Sequence, residues 1–246
     1  MDRSLYVAMS GAKETLRAQA STSHNLANAS TTGFRADLTA FMSRAVQGPG
    51  FDSRVYATAS TTGWSSDSGA LITTGRELDV AVRGKGWIAI QDVNGQEAYT
   101  RAGDLQIDAT GNLRTGAGHQ VLGDAGPVVI PPNASATIAP DGTVSIVPLG
   151  QTATTIASIG RIKLVSPADT DMERGSDGLF RLKSGTPAPA EASVQLASGA
   201  LESSNVNTAD ALVTMIELSR RFDLQVKAIR TAEDNARSAQ QLLRAT

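Results

Sequence analysis

The sequence predicts an α+β protein in which long N- and C-terminal helices pack together as a coiled-coil-like domain, with an antiparallel β sandwich or barrel-like domain inserted between them. Two observations predict this fold. Apolar residues recur at helical intervals at both ends of the 246-residue chain. In the middle they alternate in short runs separated by turn residues. Because no helical pattern separates these runs, a parallel doubly wound sheet is not expected.

The N-terminal helix is predicted between about residues 2 and 29, which contain no proline and a single glycine, Gly11. Leu5, Met9 and Leu16 lie on one stripe of such a helix. A run of turn-forming residues from 28 to 33 then ends it.

The C-terminal helix has the stronger signal, because residues 208–246 contain neither glycine nor proline. Apolar residues fall seven apart in one column, and a second column lies three residues before the first. This heptad pattern predicts a coiled-coil-like helix roughly 50 Å long at 1.5 Å per residue. We call the apolar stripe of both helices the helical seam; its residues are Leu5, Met9, Leu16, Leu212, Met215, Phe222, Val226, Ile229 and Leu243.

Polar residues interrupt the second column of the seam at Ser219, Glu233 and Gln240. A self-sufficient two-stranded zipper is therefore not expected. Two interpretations stay open: a long surface helix on a globular core, or a helix that needs several neighbours to cover a weak stripe. The predicted length favours the second interpretation, because a helix of roughly 50 Å is longer than a small domain.

Short strands are predicted through the middle of the chain, and the segment around residues 47–75 is rich in Ser, Thr and Gly, like a connector. We expect the N-terminal helix in residues 1–40, an extended connector in 41–75, a β-rich domain in 76–199 and the C-terminal helix in 200–246. The predicted strands are Leu78–Val82, Trp87–Ile90, Tyr99–Arg101, Leu105–Asp108, Leu113–Thr115, Val128–Ile130, Thr143–Val147, Arg161–Val165 and Leu179–Leu182.

Composition argues against several functional classes. The absence of cysteine removes disulfides, thiolate metal sites and cysteine nucleophiles. A net charge of −2 and few aromatic residues (5 Phe, 2 Trp and 3 Tyr) argue against nucleic-acid binding. The chain contains no run of 18 apolar residues, so we expect no membrane-spanning helix. The first residues lack a basic region followed by a long apolar stretch, so we expect no cleaved signal peptide.

Catalytic motifs are not found either. Gly84-Lys85-Gly86 lacks the frame of a phosphate-binding loop, and Asp92-Val93-Asn94-Gly95 lacks the acidic spacing of a calcium loop, so both predict turns. His24 and His119 are interpreted as solvated or structurally hydrogen-bonded. None of the 24 acidic residues is singled out as part of a glycosidase pair. We predict no catalytic, cofactor-binding or metal-binding residue.

Four segments carry recognisable motifs. Residues 23–35, SHNLANASTTGFR, resemble NNLANxxTxGFK, with His24 in place of Asn and Arg35 in place of Lys. Residues 74–87 are similar to TGxxLDxAIxGxGFF, residues 99–113 to YTRxGxFxxDxxGxL, and residues 199–207 to GxLExSNV. In this order the motifs resemble those of the bacterial flagellar axial proteins, the family of rod, hook and hook-associated proteins. The motif residues to which the resemblance gives an assembly role are Asn25, Leu26, Ala27, Asn28, Thr31, Gly33, Phe34, Asn205 and Val206.

The resemblance implies a non-enzymatic structural subunit of the flagellar basal-body rod, the periplasmic drive shaft that transmits torque. The terminal helices would form an inner layer and the β-rich domain would lie outside it. The implied partners are copies of the chain, other proximal- and distal-rod proteins and the flagellar type III export apparatus, which would export it without a cleaved signal peptide. Nucleic acid, stable membrane insertion, small-molecule substrates and cofactors are not implied.

Within the family, the opening residues 1–12 and the short length look most like the proximal-rod members. A distal-rod or hook-type axial protein is the alternative. From another functional class, a periplasmic β-domain glycan-binding or hydrolytic module with helical dimerisation arms stays open.

Overall fold

A computed structural model of the chain describes residues 3–45, 55–149 and 156–244. It divides into two compact units. The helical unit comprises residues 1–29, 36–65 and 206–246, and the β unit comprises residues 30–35 and 66–205. The predicted α+β class is confirmed, with one helix near each end and antiparallel sheets between them.

The helical unit contains two helices and one β-hairpin. Its strands pair antiparallel from Asp37 opposite Trp64 to Ala45 opposite Val55. Residues 41–75, expected as an extended connector, therefore hold most of a hairpin that the sequence pattern did not predict. The elements are α1 (Arg3–Ala27), β1 (Asp37–Ala45), β2 (Val55–Trp64) and α2 (Thr208–Arg244).

Small residues of α1 allow it to approach α2 closely. Ala12, Thr15 and Ala18 are buried. The Thr15 hydroxyl donates to the Gly11 carbonyl at 2.8 Å and lies 3.2 Å from Gln225 Oε1 of α2. A Cβ on Gly11 would stand 2.8 Å from Gln225 Nε2. Gly11 thus lies at a helix contact, where the absence of a side chain allows close packing. Its lower helix propensity costs about 1 kcal/mol.

An asparagine caps the start of α2, and another follows the end of α1. The Asn207 side-chain oxygen accepts the backbone N–H groups of Ala209 at 3.0 Å and Asp210 at 3.4 Å, as an N-cap residue does. At the other helix, Asn28 Nδ2 donates to the His24 carbonyl at 2.9 Å. Asparagine thus satisfies local backbone groups at both positions.

The β unit consists of short strands and a 3-10 helix at Asp169–Asp171. The predicted strand Val128–Ile130 is replaced by an isolated bridge between Val129 and Asn112, and the range Arg161–Val165 is divided between two strands. The strands are β3 (Leu71–Thr73), β4 (Val80–Arg83), β5 (Trp87–Gln91), β6 (Glu97–Thr100), β7 (Leu105–Ile107), β8 (Leu113–Thr115), β9 (Gln120–Gly123), β10 (Gly126–Pro127), β11 (Asn133–Ile138), β12 (Thr143–Pro148), β13 (Ala157–Arg161), β14 (Leu164–Val165), β15 (Met172–Arg174), β16 (Phe180–Leu182), β17 (Gln195–Ser198) and β18 (Ala200–Glu202).

All described strand pairs are antiparallel. The largest sheet has the order β15-β16-β6-β5-β9-β8-β7, with β10 on β9 and β14 on β5. A second sheet has the order β11-β12-β13, and two further pairs are β17 with β4 and β18 with β3. The last two pairs join residues near 200 to residues 71–83, so the β unit is completed by segments far apart in the chain.

One hydrophobic core is shared by three of these sheets. Val80 and Val82 of β4, Ile88 and Ile90 of β5, and Val144 of β12 contribute to it, and none is more than 2% exposed. The alternation that predicted β4 thus arises from side chains that enter this core. No helix in the described part of the chain is both long enough and apolar enough to span a bilayer.

Candidate functional site

The first motif joins the end of α1 to the start of β1. Asn25 Nδ2 donates to the Asp37 carbonyl at 2.9 Å, and Asn25 Oδ1 accepts the Asp37 N–H at 2.8 Å. One side-chain amide therefore satisfies both backbone groups of Asp37 and fixes the start of β1 against α1. His24 Nδ1 lies 2.7 Å from Asp37 Oδ2, so this histidine is structurally hydrogen-bonded.

The next motif residues vary in burial. Leu26 is partly buried, whereas Ala27 and Thr31 are exposed. The Thr31 carbonyl accepts the Phe34 N–H at 3.3 Å, which closes the turn after α1.

Residues 33–35 of the same motif belong to the β unit. The Gly33 N–H donates to the Glu202 carbonyl at 2.8 Å, and the Asn205 N–H donates to the Phe34 carbonyl at 3.3 Å. The first and last motifs therefore run beside each other. Asn205 Nδ2 also donates to the Asp67 carbonyl at 2.9 Å. Val206, the last motif residue, is partly buried in the helical unit.

Phe34 is buried under an arginine. The Arg174 guanidinium carbon lies 4.4 Å from the centre of the Phe34 ring and 5.8 Å from that of Phe180. Arg174 Nη1 also donates to the Arg35 carbonyl at 2.9 Å. Cation–π attraction and a charge-assisted hydrogen bond thus act together to anchor the first motif on β15 and β16.

A buried carboxylate lies where the motifs meet. Glu202 forms ion pairs with Arg35 at 2.7 Å and with Arg101 at 3.0 Å, and the three side chains are between 1% and 5% exposed. Gly69 N–H donates to Glu202 Oε1 at 3.0 Å. We call Arg35, Asp67, Gly69, Arg101 and Glu202 the Glu202 junction.

Arg101 also connects the two remaining motifs to this junction. Its guanidinium carbon lies 5.3 Å from the centre of the Trp87 ring, and Nη2 donates to the Gly84 carbonyl at 2.7 Å. Burial lowers the pKa of Arg101, and the nearby Glu202 charge opposes this effect. An arginine nevertheless remains charged, which makes Glu202 a needed counter-charge.

All four sequence motifs therefore converge in one part of the β unit. Gly33, Phe34 and Asn205 were predicted from the motifs as assembly residues, whereas no role was predicted for Arg101 or Glu202. Both stand at fixed places in the quoted motifs, and a charged residue at a fixed motif position was the available signal.

The seam residues differ in exposure within the single chain. Leu5, Met215, Phe222, Val226 and Ile229 are partly buried, whereas Met9, Leu16 and Leu212 are about half exposed. The side chain of Leu243 lies outside the described residues.

The most buried described side chains of α2 are not seam residues. They are Leu218 and Ala232, which lie four residues before Phe222 and Ala236. Ser219 and Glu233, the polar interruptions of the predicted second column, are exposed. The buried positions Leu218 and Ala232 therefore lie one residue before Ser219 and Glu233, the positions of the predicted second column.

Large exposed apolar side chains concentrate in the helical unit. Of the sixteen found in the described part of the chain, ten belong to it. They occupy α1, β1 and the first half of α2: Tyr6, Met9, Leu16, Leu38, Phe41, Met42, Leu212, Val213, Ile216 and Leu224.

No group of three or more His, Asp or Glu side chains among residues 3–45, 55–149 and 156–244 is arranged to hold a metal ion. The features that stand out are thus a buried ionic junction and an exposed apolar surface.

Comparison with protein-family models gives three matches in chain order. Residues 5–35 match "Flagella basal body rod protein", residues 81–146 match "Flagellar hook protein FlgE/F/G D1 domain", and residues 197–242 match "Flagellar basal body rod FlgEFG protein C-terminal".

Curated relatives match over nearly their full length. The flagellar basal-body rod protein FlgF of Escherichia coli strain K12 is 46% identical over 99% of both chains. FlgF of Salmonella typhimurium is 43% identical over 99% of both chains. The rod protein FlgG of Bacillus subtilis is 35% identical over 95% of this chain and 96% of its own. The chain therefore belongs to the flagellar basal-body rod protein family, and it is FlgF-like over nearly its whole length.

Proposed function

We propose that the chain is a structural subunit of the proximal rod of the flagellar basal body, and that it assembles through its helical unit. The FlgF proteins of Escherichia coli and Salmonella typhimurium support the proximal-rod assignment, because they are 46% and 43% identical to the chain, compared with 35% for the FlgG of Bacillus subtilis. The family is structural rather than enzymatic.

The observation that carries the assembly role is the exposed apolar stripe of α2. Val213 and Ile216 are three residues apart, and Leu224 lies two turns further along the same face; they are 57%, 56% and 64% exposed. Exposed large apolar side chains that share one helix face are typical of protein–protein contact sites, because burying them removes apolar area from water. Other axial flagellar proteins and further copies of the chain are the proposed partners.

We further propose that neighbouring helices complete the helical seam in a coiled-coil-like manner. Seam residues that are half exposed in the single chain, such as Met9 and Leu212, support this. Polar interruptions at Ser219 and Glu233 suit a helix that contacts several different neighbours better than a two-stranded zipper.

For the β unit we retain a sandwich-like arrangement as a proposal, supported by a core to which β4, β5 and β12 all contribute. Placement of the rod in the periplasm and delivery by the flagellar type III apparatus also belong to this proposal. They rest on the family resemblance alone.

Substitutions on the exposed stripe test the proposed assembly. We expect Ile216→Asp and Leu224→Asp to abolish swimming in a strain that carries the variant as its only copy, and basal bodies isolated from it should lack the completed rod. A charge placed in a desolvated interface costs several kcal/mol. Val93→Asp is the matched control, because Val93 is 89% exposed in the β unit, and it should swim normally.

Far-UV circular dichroism of the purified variants would show whether each still folds. Normal swimming by both stripe variants would contradict the assembly surface. Phe222→Asp and Ile229→Asp should also block assembly, but both side chains are partly buried within the chain. The exposed positions are therefore the sharper test. Arg237→Ala should have a mild effect, because its ion pair with Asp234 at 3.8 Å is exposed.

A further inference from the structure

The chain passes between its two units after residues 29, 35, 65 and 205. The β-unit segments next to these points are residues 30–35, the residues that follow 65, and the residues that precede 206. The first two segments contact Glu202, and the third contains it.

The three oxygen acceptors of Glu202 together contact residues 33–35, Gly69 and Arg101. Oε1 lies 2.7 Å from Arg35 Nη2 and accepts the Gly69 N–H at 3.0 Å. The main-chain carbonyl accepts the Gly33 N–H at 2.8 Å. Oε2 accepts Arg101 Nη1 at 3.0 Å. Residues 33–35 and 69 are thus joined to the last β strand by a single residue.

Secondary contacts connect the same segments. The Asp67 carbonyl accepts Arg35 Nη1 and, at 2.9 Å, Asn205 Nδ2. A Cβ on Gly69 would overlap the Ser203 carbonyl, so the two backbones lie directly against each other. Arg35, which donates to the Asp67 carbonyl, also pairs with Glu202.

The sheet side of the junction is independently fixed. Arg101 donates to the carbonyls of Gly84 at 2.7 Å and Val82 at 3.4 Å, and Trp87 lies beside it. Because these contacts do not involve Glu202, Arg101 serves as the point on the sheet to which Glu202 attaches the other segments.

We propose that Glu202 is the positioning residue that fixes where the chain leaves the β unit toward the helical unit. Two buried guanidinium groups share its carboxylate, so loss of its charge leaves both without their counter-charge. The segments at 30–35 and 66–70 should then separate locally from the sheet, while the hydrophobic core around Ile88 stays closed. This inference rests on contacts inside the β unit and not on the proposed role in the rod.

Hydrogen exchange on the purified full chain tests the proposal. In Glu202→Gln we expect amide exchange at Gly33, Gly69 and Asn205 to be about tenfold faster or more, while Ile88 and Ile90 exchange as in the unsubstituted chain. Glu97→Gln is the matched control. It neutralises a partly buried carboxylate, paired with Lys163 at 2.8 Å, that is not part of the junction, and it should leave exchange at Gly33, Gly69 and Asn205 unchanged.

Two results would overturn the proposal: unchanged exchange at the junction amides in Glu202→Gln, or an equal rise at Ile88 and Ile90, which would show global loosening. If Glu202→Gln yields no folded protein, Arg35→Lys decides. It keeps the charge but loses the planar fork, so faster exchange confined to residues 33–35 and 67–69 supports the proposal, and unchanged exchange refutes it. Because the measurement uses unassembled protein, a negative result here would leave the assembly proposal to its own swimming test.

Discussion

The α-carbon of Gly33 lies against the peptide group that joins Arg101 to Ala102. A Cβ on Gly33 would overlap the carbonyl carbon of Arg101. The residue also has a φ of +67°, in the left-handed region that favours glycine. Two independent requirements, backbone conformation and close approach, thus demand glycine at this position of the first motif.

Substitution of Gly33 by alanine should therefore be severely destabilising. We expect Gly33→Ala to lower the free energy of unfolding by about 3 kcal/mol or more, from left-handed strain plus steric overlap. Urea denaturation followed by tryptophan fluorescence would measure it.

Gly185→Ala separates the two effects. Gly185 has a φ of +69°, but a Cβ there would meet no atom within 4 Å. It should cost only about 1 kcal/mol, the price of the left-handed conformation. Equal losses for the two variants would show that the contact with Arg101 contributes nothing.

A second prediction concerns Arg181, which pairs with Asp92 at 2.7 Å and with Asp177 at 2.6 Å. Hydrogen bonds from Arg181 are the largest cause that lowers the pKa of each carboxyl group. A lowered pKa in the folded state stabilises the fold above the unfolded carboxyl pKa of about 4, and this stability is lost as the pH falls through the folded values. We expect Arg181→Ala to lose about 2 kcal/mol at pH 7, mainly through the buried Asp92.

The loss in Arg181→Ala should shrink as the pH falls below about 4, because protonated carboxyl groups no longer need the arginine in either protein. Urea denaturation at pH 7, 5 and 3 would show this convergence. A difference that stays constant across these pH values would mean that Arg181 acts through packing instead of charge.

The Asp104 carboxyl group should give the fold the opposite dependence of stability on pH. Burial raises its pKa, and the charge of Asp79 raises it further. The folded state thus holds the Asp104 proton more tightly than the unfolded chain, so stability falls as the pH rises from about 4 through the raised value. We expect Asp104→Asn to be more stable than the unsubstituted chain at pH 7, with the gain vanishing near pH 4.

Thermal unfolding at both pH values would test the Asp104 prediction. Asp124→Asn, which changes an exposed carboxyl group of the same unit, is the control and should alter the melting temperature little. A lower melting temperature for Asp104→Asn at pH 7 would show that the hydrogen bonds of the carboxylate outweigh the cost of its burial.

The helices should gain much of their order from assembly. Leu218 and Ala232 are the only described α2 side chains that are less than a tenth exposed, and helices without substantial tertiary packing are marginal in water. We predict that α1 and α2 are largely unfolded or fraying in dilute monomer, whereas Gly33 and Asn205, which are hydrogen-bonded within the β unit, stay protected. Strong hydrogen-exchange protection across residues 212–243 in the monomer would contradict this.

Local sequence determined the two helices with little error. The first was predicted between about residues 2 and 29 and extends from Arg3 to Ala27. The second was expected within residues 200–246, with a stretch free of glycine and proline from 208, and it begins at Thr208. Helical periodicity and the absence of Gly and Pro act within one segment, so the sequence carries them directly. Strands with apolar alternation, such as β4 and β5, were found for the same reason.

The hairpin of β1 and β2 and the late strands β17 and β18 were not predicted. Small and polar residues dominate β2, and without alternating large apolar side chains a strand has no local signal. β17 and β18 are strands because β4 and β3 supply their hydrogen-bonding partners, more than 110 residues earlier in the chain.

Only the tertiary structure decided which charges are buried. Arg101 and Glu202 are 101 residues apart in the chain. Each is of a residue type that is mostly exposed to solvent, so neither alone predicts burial. The same holds for α2, where spacings of three and four residues are both compatible with one helix face, and the folded chain buries Leu218 and leaves Ser219 exposed. Periodicity is encoded locally, whereas burial depends on which distant segment covers a side chain, and that is settled only when the chain has folded.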